Sequence, residues 1–346
     1  MSVTIRDVAA AARVSPATVS RVLNHTAAVR PEVSARVLQA VRDLGYRPNG
    51  AARGLRTRTT RVLGLIISDI TNPFFTGLVR GVEDAAQQAG YSVVLANSDE
   101  DLDKEANYLE IAAAEQMAGV VLSPASATES RIDVLTERNI PVVTVDRLLR
   151  HVQVDSVTID NRAAALAATQ YLVAAGARRI AMVTGPRETS TATGRLAGYR
   201  AGLREAGLPS RAALVRYANY RVDGGYHAVR DLVALDPPPD GLLVANNLMT
   251  VGALAAVEDA GLRIPRDLTL VGFDDMSWAL GSRRQLALVA QPTHDIGYRA
   301  TEMLLWRVKG DRAGPRRVVL GTTLLTPQES RAAYWRRFPG MAESSP

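Results

Sequence analysis

From Arg61 onward, short apolar runs alternate with longer amphipathic segments, and the whole alternation occurs twice. The first set of runs is 62–67 (VLGLII), 91–96, 120–122 and 141–145, with helical periodicity over 74–89, 104–116 and 129–138. The second set is 179–183, 214–217, 241–245 and 268–273, with helical periodicity over 162–175, 195–206, 224–235 and 251–260. Apolar strands joined by helices predict a parallel sheet covered on both faces. Two such sets predict two similar subdomains. The stretch HDIGYRATEMLLWRVKG (294–310) reads as one more helix, expected to pack back on the first subdomain. TTLLTPQES (322–330) reads as a final strand returning to the second.

The charge is unevenly placed. Residues 1–60 hold ten arginines, no lysine and three acidic groups, a net of +7. The remaining chain is close to neutral, so the overall +6 is carried by the first sixth of the sequence. A basic module on a neutral body is the electrostatic signature of polyanion binding. At 47% hydrophobic residues the chain is globular, and it has no cysteine. That excludes disulfides, thiolate metal sites and thiol catalysis, and fits a cytoplasmic location. The N-terminal MSVTIRDVAA lacks the basic and apolar regions of a signal peptide, and no apolar run reaches the roughly 18 residues of a membrane span.

The basic module is also periodic. Thr4 and Asp7 form a capping-box variant ahead of Ile5, Val8, Ala9 and Ala12. Ser15 and Pro16 suit the cap and first position of a second helix, with Val19, Val22 and Leu23 as its apolar stripe. A third helix begins at Pro31, carries Val33, Val37, Leu38, Val41 and Leu44, and ends at Gly45. Two short helices joined by a tight turn predict a helix-turn-helix. Its second helix leaves Pro16, Ala17, Thr18, Ser20, Arg21 and Asn24 outward. An exposed helix N-terminus with hydroxyls suits phosphate, and Arg21 can donate two hydrogen bonds to a guanine edge.

TIRDVAAAARVSPATVSRVLN, VRPEVSARVLQAVRDLGYRPN and RTTRVLGLIISDITNPFF resemble, in order and spacing, the LacI/GalR family of bacterial transcription regulators. The resemblance runs to about residue 330. It implies an α/β chain with an N-terminal three-helix helix-turn-helix domain, a hinge helix, and a two-lobed, periplasmic-binding-protein-like body of two parallel αβα subdomains. The implied division is 1–48 for the DNA-binding domain, 49–60 for the hinge, 61–335 for the effector-binding and dimerisation body, and 336–346 for a flexible tail. Lobe 1 takes about 61–159 and 293–321, and lobe 2 about 160–292 and 322–335. By resemblance, Pro16 and Ala17 distinguish operators, Arg21 reads a base, and Thr4, Ser15, Thr18, Ser20 and Asn24 join the DNA contacts.

GAARGLRTRTTR follows Asn49. By composition it is a flexible basic linker, since Gly50 and Gly54 each cost about 1 kcal/mol of helix stability and so short a helix is unstable alone. The resemblance implies a hinge helix formed on DNA, with Asn49 and Ala52 at the contact and Leu55 wedged between base pairs in the minor groove.

Facing parallel sheets bind ligands where their carboxyl ends meet. Polar or aromatic residues just after strands are therefore candidates: Asp69, Phe74, Asp146, Tyr220, Asn246 and Asp274, with Arg195 on a following helix. An aspartate there also serves as a turn former, one of Asn246 and Asn247 suffices to cap the next helix, and Phe74 also fits a subdomain core. The resemblance assigns Asp146, Arg195, Asn246 and Asp274 to the effector cleft. An arginine among carboxylates suits vicinal hydroxyls, and an aromatic face suits a sugar. Three departures from the family stand out: Asn247 for an aspartate, Arg284-Gln285 for a Pro-Pro pair, and Gln328 for an arginine.

The four histidines are scattered, and neither a P-loop nor a G-x-S-x-G motif occurs. The expected protein is a non-enzymatic repressor without cofactor or membrane contact. It is expected to act as a homodimer on near-palindromic double-stranded DNA, under control of a small molecule that reads as a carbohydrate. An activator or corepressor-dependent regulator of the same fold stays open, and a solute-binding protein is the remoter reading. The tail AAYWRRFPGMAESSP has no apolar heptad, so a dimer through the body is expected rather than a tail-tethered tetramer.

Overall fold

The computed structural model describes residues 3–24, 29–46, 60–274 and 286–329. Its contacts divide the chain into two units, 1–60 and 61–346. In the first unit, α1 (Ile5–Ala12), α2 (Pro16–Asn24) and α3 (Pro31–Asp43) enclose a small core of Val8, Ala9, Ala12, Val19, Val22, Val37 and Ala40. The Thr4–Asp7 capping box starts α1, and Arg13 ends it in the left-handed conformation. Two residues expected in the α3 stripe, Leu38 and Leu44, are exposed. Leu38 lies about 100° around the helix from Val37, and Leu44 falls just past the helix end, so Ala40 takes the buried place.

The second unit holds two six-stranded sheets. Its elements run β1 (Val62–Ile67), α4 (Pro73–Gln88), β2 (Ser92–Asn97), α5 (Leu102–Ala114), β3 (Gly119–Leu122), α6 (Asp133–Thr136), β4 (Val142–Val145) and β5 (Asp155–Ile159). They continue with α7 (Asn161–Ala174), β6 (Ile180–Thr184), α8 (Ser190–Glu205), β7 (Val215–Tyr217), α9 (Val222–Val233), β8 (Gly241–Val244), α10 (Asn247–Asp259) and β9 (Thr269–Phe273). Last come β10 (Ala287–Ala290), α11 (Thr293–Val308), β11 (Arg317–Leu320) and β12 (Thr323–Leu325). The first sheet has the order β11-β5-β4-β3-β1-β2 and the second β12-β10-β9-β8-β6-β7. Every pairing is parallel except β12 against β10.

The chain passes between the sheets three times: from β5 to α7, from β10 to α11, and from β11 to β12. The helix expected to return to the first subdomain does so, because α11 packs against α4 and the first sheet. Glycines allow that approach. A Cβ on Gly297 would meet the Leu78 carbonyl oxygen, and one on Gly81 the His294 carbonyl oxygen. An ion pair fastens the far end of α11. Arg307 donates from Nε and Nη2 to the two carboxylate oxygens of Asp155, at 2.7 and 2.8 Å.

Two sequence-based expectations fail locally. The helix expected over 129–138 is reduced to α6. Ser126 Oγ accepts from the Thr128 and Glu129 amides, and Ser130 Oγ accepts from the Ser126 amide, so side chains take the bonds a helix start would use. α8 begins at Ser190 rather than Arg195, because Thr189 caps it by accepting from the Ala192 amide. Arg195 therefore sits in the second turn.

The helix crossing carries a test. Gly297→Ala should lower unfolding stability by about 1–3 kcal/mol, since neither backbone can withdraw. Gly314→Ala has open space around it and should change stability by less than about 0.5 kcal/mol. Urea titration of the two variants separates them.

Candidate functional site

The recognition surface of the first unit is α2 and the turn before it. Ser15 Oγ accepts from the Thr18 amide at 3.1 Å and lies 2.9 Å from the Thr18 hydroxyl. Pro16, Ala17 and Arg21 are exposed, and Thr18 and Ser20 half-buried, while Val19 and Val22 face the core. Among the described residues, Arg21 has no hydrogen-bond or ion-pair partner. The Thr4 hydroxyl is engaged at 2.7 Å with Asp7, whose carboxyl that bond holds below its ordinary range. The Asn24 side chain lies outside the described residues, as do Asn49, Ala52, Leu55, Arg284, Gln285 and the tail. Gln328 is exposed.

In the second unit the carboxyl ends of the sheets border a cleft of about 460 Å³, counting its open mouth. Asp69, Phe74, Asp146, Tyr220, Asn246, Asp274 and Arg195 all line it. Asp69 follows β1, with one carboxylate oxygen accepting from the Thr71 amide and hydroxyl, so it also forms a turn. Phe74 opens α4, stands edge-on to Phe75 and is also part of the core. Asn246 is the N-cap of α10, accepts from the Met249 amide and donates to the Tyr220 carbonyl. Its neighbour Asn247 reaches between the sheets. Asn247 Nδ2 donates to Asn72 Oδ1 at 2.8 Å, which an aspartate at 247 in its ionised form could not do.

Arg195 is only 3% exposed. Its Nε donates to Asn161 Oδ1 at 2.8 Å, its Nη1 donates to the Ala245 carbonyl, and its guanidinium lies 4.2 Å from the Phe273 ring centroid. Asp274 accepts from Gln291 Nε2 and from the Asn247 amide. Arg147, which the sequence reading passed over, donates from Nη1 and Nη2 to the two Glu100 carboxylate oxygens at 2.6 Å each and stacks 5.5 Å above Tyr220. Arg147 and Glu100 also follow strand ends. The signal was present, but Arg147 reads as part of a solvated DRLLR segment and Glu100 as part of an acidic run.

The backbone is strained where these residues converge. Glu100, Asp146, Tyr220 and Asp274 all have φ between 61° and 72°. Aspartate tolerates the left-handed region, whereas a tyrosine there is uncommon. Tyr220 is held by its carbonyl bond to Asn246, by hydroxyl contacts of 3.2 Å to Thr189 and 2.9 Å to Thr191, and by space that a side chain at Gly185 would occupy. The Asp146 side chain is 11% exposed. Burial pushes its carboxyl above the ordinary range against the pull of Arg147 and Arg195, and the Asp274 and Glu100 charges add to the rise.

A helix-turn-helix unit and a two-lobed body with a polar cleft in one chain are the parts of a ligand-responsive regulator. Residues 4–49 match the bacterial regulatory proteins of the lacI family, and residues 60–327 match the periplasmic binding proteins and sugar binding domain of the LacI family. The chain is 39% identical to catabolite control protein A of Priestia megaterium over 305 residues, which cover 88% of this chain and 92% of that protein. Among solved structures, the lac repressor dimer bound to operator and the anti-inducer ONPF superposes with a TM-score of 0.83 at 25% identity, covering 94% of this chain and 98% of that one. A complex of the regulator CelR with cellobiose superposes with a TM-score of 0.72 at 32% identity, covering the same shares. The chain belongs to the LacI family of bacterial transcription regulators. It is a DNA-binding regulator whose body is the family's effector-binding domain. Among the described residues no helix is long and apolar enough to cross a membrane.

Asp146 supplies a pH test. A raised carboxyl pKa means that ionisation costs more in the folded state than in the unfolded one. The cost is absent below the ordinary carboxylate pKa, grows as pH rises to the folded pKa, and is constant above it. Asp146→Asn keeps the shape and the tolerance of positive φ. Its melting temperature should exceed wild type at pH 7, and the difference should close as pH falls below about 4. Calorimetry across that range reads both.

Proposed function

We propose that the protein is a cytoplasmic, homodimeric repressor in which α2 reads the operator and a sugar-like effector in the cleft sets operator affinity. The observation that carries this reading is the convergence of acidic, basic and aromatic side chains from both sheets on one cleft. Arg21 reads a base edge, Pro16 and Ala17 tune which one, and Thr4, Ser15, Thr18, Ser20 and Asn24 contact the DNA backbone or bases. Asn49, Ala52 and Leu55 act in the minor groove. The chain divides functionally into 1–48, 49–60, the body and a tail from 336. The body is a binding module rather than an enzyme. A dimer through it is supported by edge strand β2, where Val94 and Leu95 are 48% and 38% exposed. The related lac repressor is a dimer on its operator, and the related CelR binds cellobiose.

The effector contacts Asp146 and Phe74 from the first sheet's side and Arg195 and Asp274 from the second's, with Asp69, Tyr220 and Asn246 completing the site. A ligand touching both sides fixes the angle between them. It alters operator binding only through a difference in affinity between the two angles. Typical coupling is about 1–3 kcal/mol, or roughly 5–150-fold. A thermal-shift screen of sugars identifies the ligand, since stabilisation grows with occupancy.

Two measurements test the reading on a near-palindromic operator selected from random DNA. Arg21→Ala should weaken operator binding about 5–150-fold, with a smaller loss on random DNA. Equal losses would show that Arg21 contacts only phosphate. Arg195→Ala should abolish the change in operator affinity caused by the screened sugar. A wild-type response in that variant would move the effector site out of the cleft.

A further inference from the structure

Asp146 and Arg147 are neighbours in sequence and both line the cleft, yet no hydrogen bond joins them. Arg147 is buried, and its Nη1 and Nη2 both go to Glu100, 47 positions earlier. Nη1 also donates to the Pro124 carbonyl at 3.1 Å. Only Nε faces Asp146. It lies 3.5 Å from Oδ2 and makes no hydrogen bond. Among the described residues, neither carboxylate oxygen of Asp146 accepts a hydrogen bond. One guanidinium thus stands between two carboxylates, one that it grips and one that it leaves open.

Structural demands alone do not explain Glu100. A buried guanidinium needs a partner, but Asp146 is already adjacent. Nor is Glu100 the cap of α5, because Asp101 takes that place by accepting from the Asp103 and Lys104 amides. The Glu100 backbone stands at φ 62°, which is uncommon for a glutamate. Its amide holds it there by donating to the Ser68 carbonyl at 3.0 Å. Strain of this kind collects where a side chain must be aimed. The aim has a consequence for Asp146. An ionised carboxylate offers about four acceptor positions, and an arginine fork takes two of them. While Glu100 holds the fork, all four stay available.

We propose that Glu100 is a positioning residue of the effector cleft: it holds the Arg147 fork off Asp146 and so keeps that carboxylate open to the hydroxyl donors of a sugar. That role rests on the effector reading above. Losing the negative charge at 100 releases the fork, and the adjacent Asp146 captures it. The other charges that act on Asp146, Arg195 and Asp274, have partners of their own. Glu105 on α5 is a further carboxylate near Arg147, and it is buried against the Ala125 amide at 2.7 Å.

The test reads Asp146 through the melting temperature of the full chain at pH 7, first without ligand. With Glu100 present, Asp146→Asn should raise the melting temperature, because it removes a buried carboxylate that no hydrogen bond supports. In an E100Q background the same change should lower it by about 2–4 °C, since it then removes an ion pair. E100D keeps the charge and tolerates positive φ, so there Asp146→Asn should raise it again. Glu100 also repels Asp146 directly, and Arg147→Gln separates the two effects. If Glu100 acts by holding the fork, the influence of E100Q on Asp146 should shrink at least about threefold in the R147Q background. A smaller reduction, or stabilisation of E100Q by Asp146→Asn as in wild type, overturns the positioning role.

Ribose, glucose and cellobiose, each at about 20 mM, then test the link to the effector. A sugar that shifts the wild-type melting temperature should also shift E100D, and should fail to shift E100Q or Asp146→Asn. A shift lost in Asp146→Asn but kept in E100Q overturns the positioning role. A shift that survives Asp146→Asn contradicts the effector reading instead, and leaves the result on the fork standing. With no shift from any of the three, the ligand-free melting temperatures alone decide.

Discussion

The buried guanidinium of Arg195 is the interaction on which the body's chemistry depends. A charge that is 3% exposed is stable only with partners, and its partners are the parts that must stay in register. Asn161 begins the helix after the first crossing, Ala245 follows β8, and Phe273 ends β9. One side chain therefore fastens the crossing to the floor of the cleft. Its field also reaches Asp146 and lowers the cost of burying that carboxylate. Removing the arginine would leave Asn161 and Ala245 without donors and Asp146 with less compensation.

The cleft is built at the expense of stability. Left-handed backbone at Glu100, Asp146, Tyr220 and Asp274, and a carboxyl pushed above its ordinary range, are arrangements a purely structural protein would avoid. They persist because the well-packed sheets hold the surroundings. A ligand supplying hydroxyls to the carboxylates and guanidinium would relieve part of the cost, and the relief would differ with the spacing between sheets. Asn247 bridges that spacing to Asn72 through a bond that an ionised aspartate could not donate.

Much of this was legible from residues alone. Apolar runs located eight of the twelve described strands: six of them are buried on both faces, while the edge strands β2 and β7 are apolar but partly exposed. The strand-end rule brought together Asp69, Phe74, Asp146, Tyr220, Asn246 and Asp274 because parallel sheets end on one side. β5 was missed for a physical reason. DSVTI is more than half polar, yet every residue is buried, with Asp155 neutralised by arginines and Thr158 left unpaired. β11 was missed although Val318-Val319-Leu320 repeats the apolar triplet of β3, because no helical segment follows it and the repeated strand–helix alternation had already ended. Arg147 escaped because sequence cannot show that Glu100, 47 positions earlier, folds back to meet it. The true start of α8 depended on Thr189, an ordinary cap whose helix was placed by its apolar face alone.

The central claim is that spacing between the two sheets is the variable through which the effector acts. The absence of cysteine makes it directly measurable. Arg131→Cys and Arg230→Cys introduce two labels at exposed positions, one on each side of the cleft. Spin-label distances are then recorded with operator, with the sugar from the screen, and with both. Two distance populations are expected, their ratio shifting with the sugar by the same factor as operator affinity, within about twofold. A tenfold change in operator affinity with an unchanged distance distribution would contradict the claim.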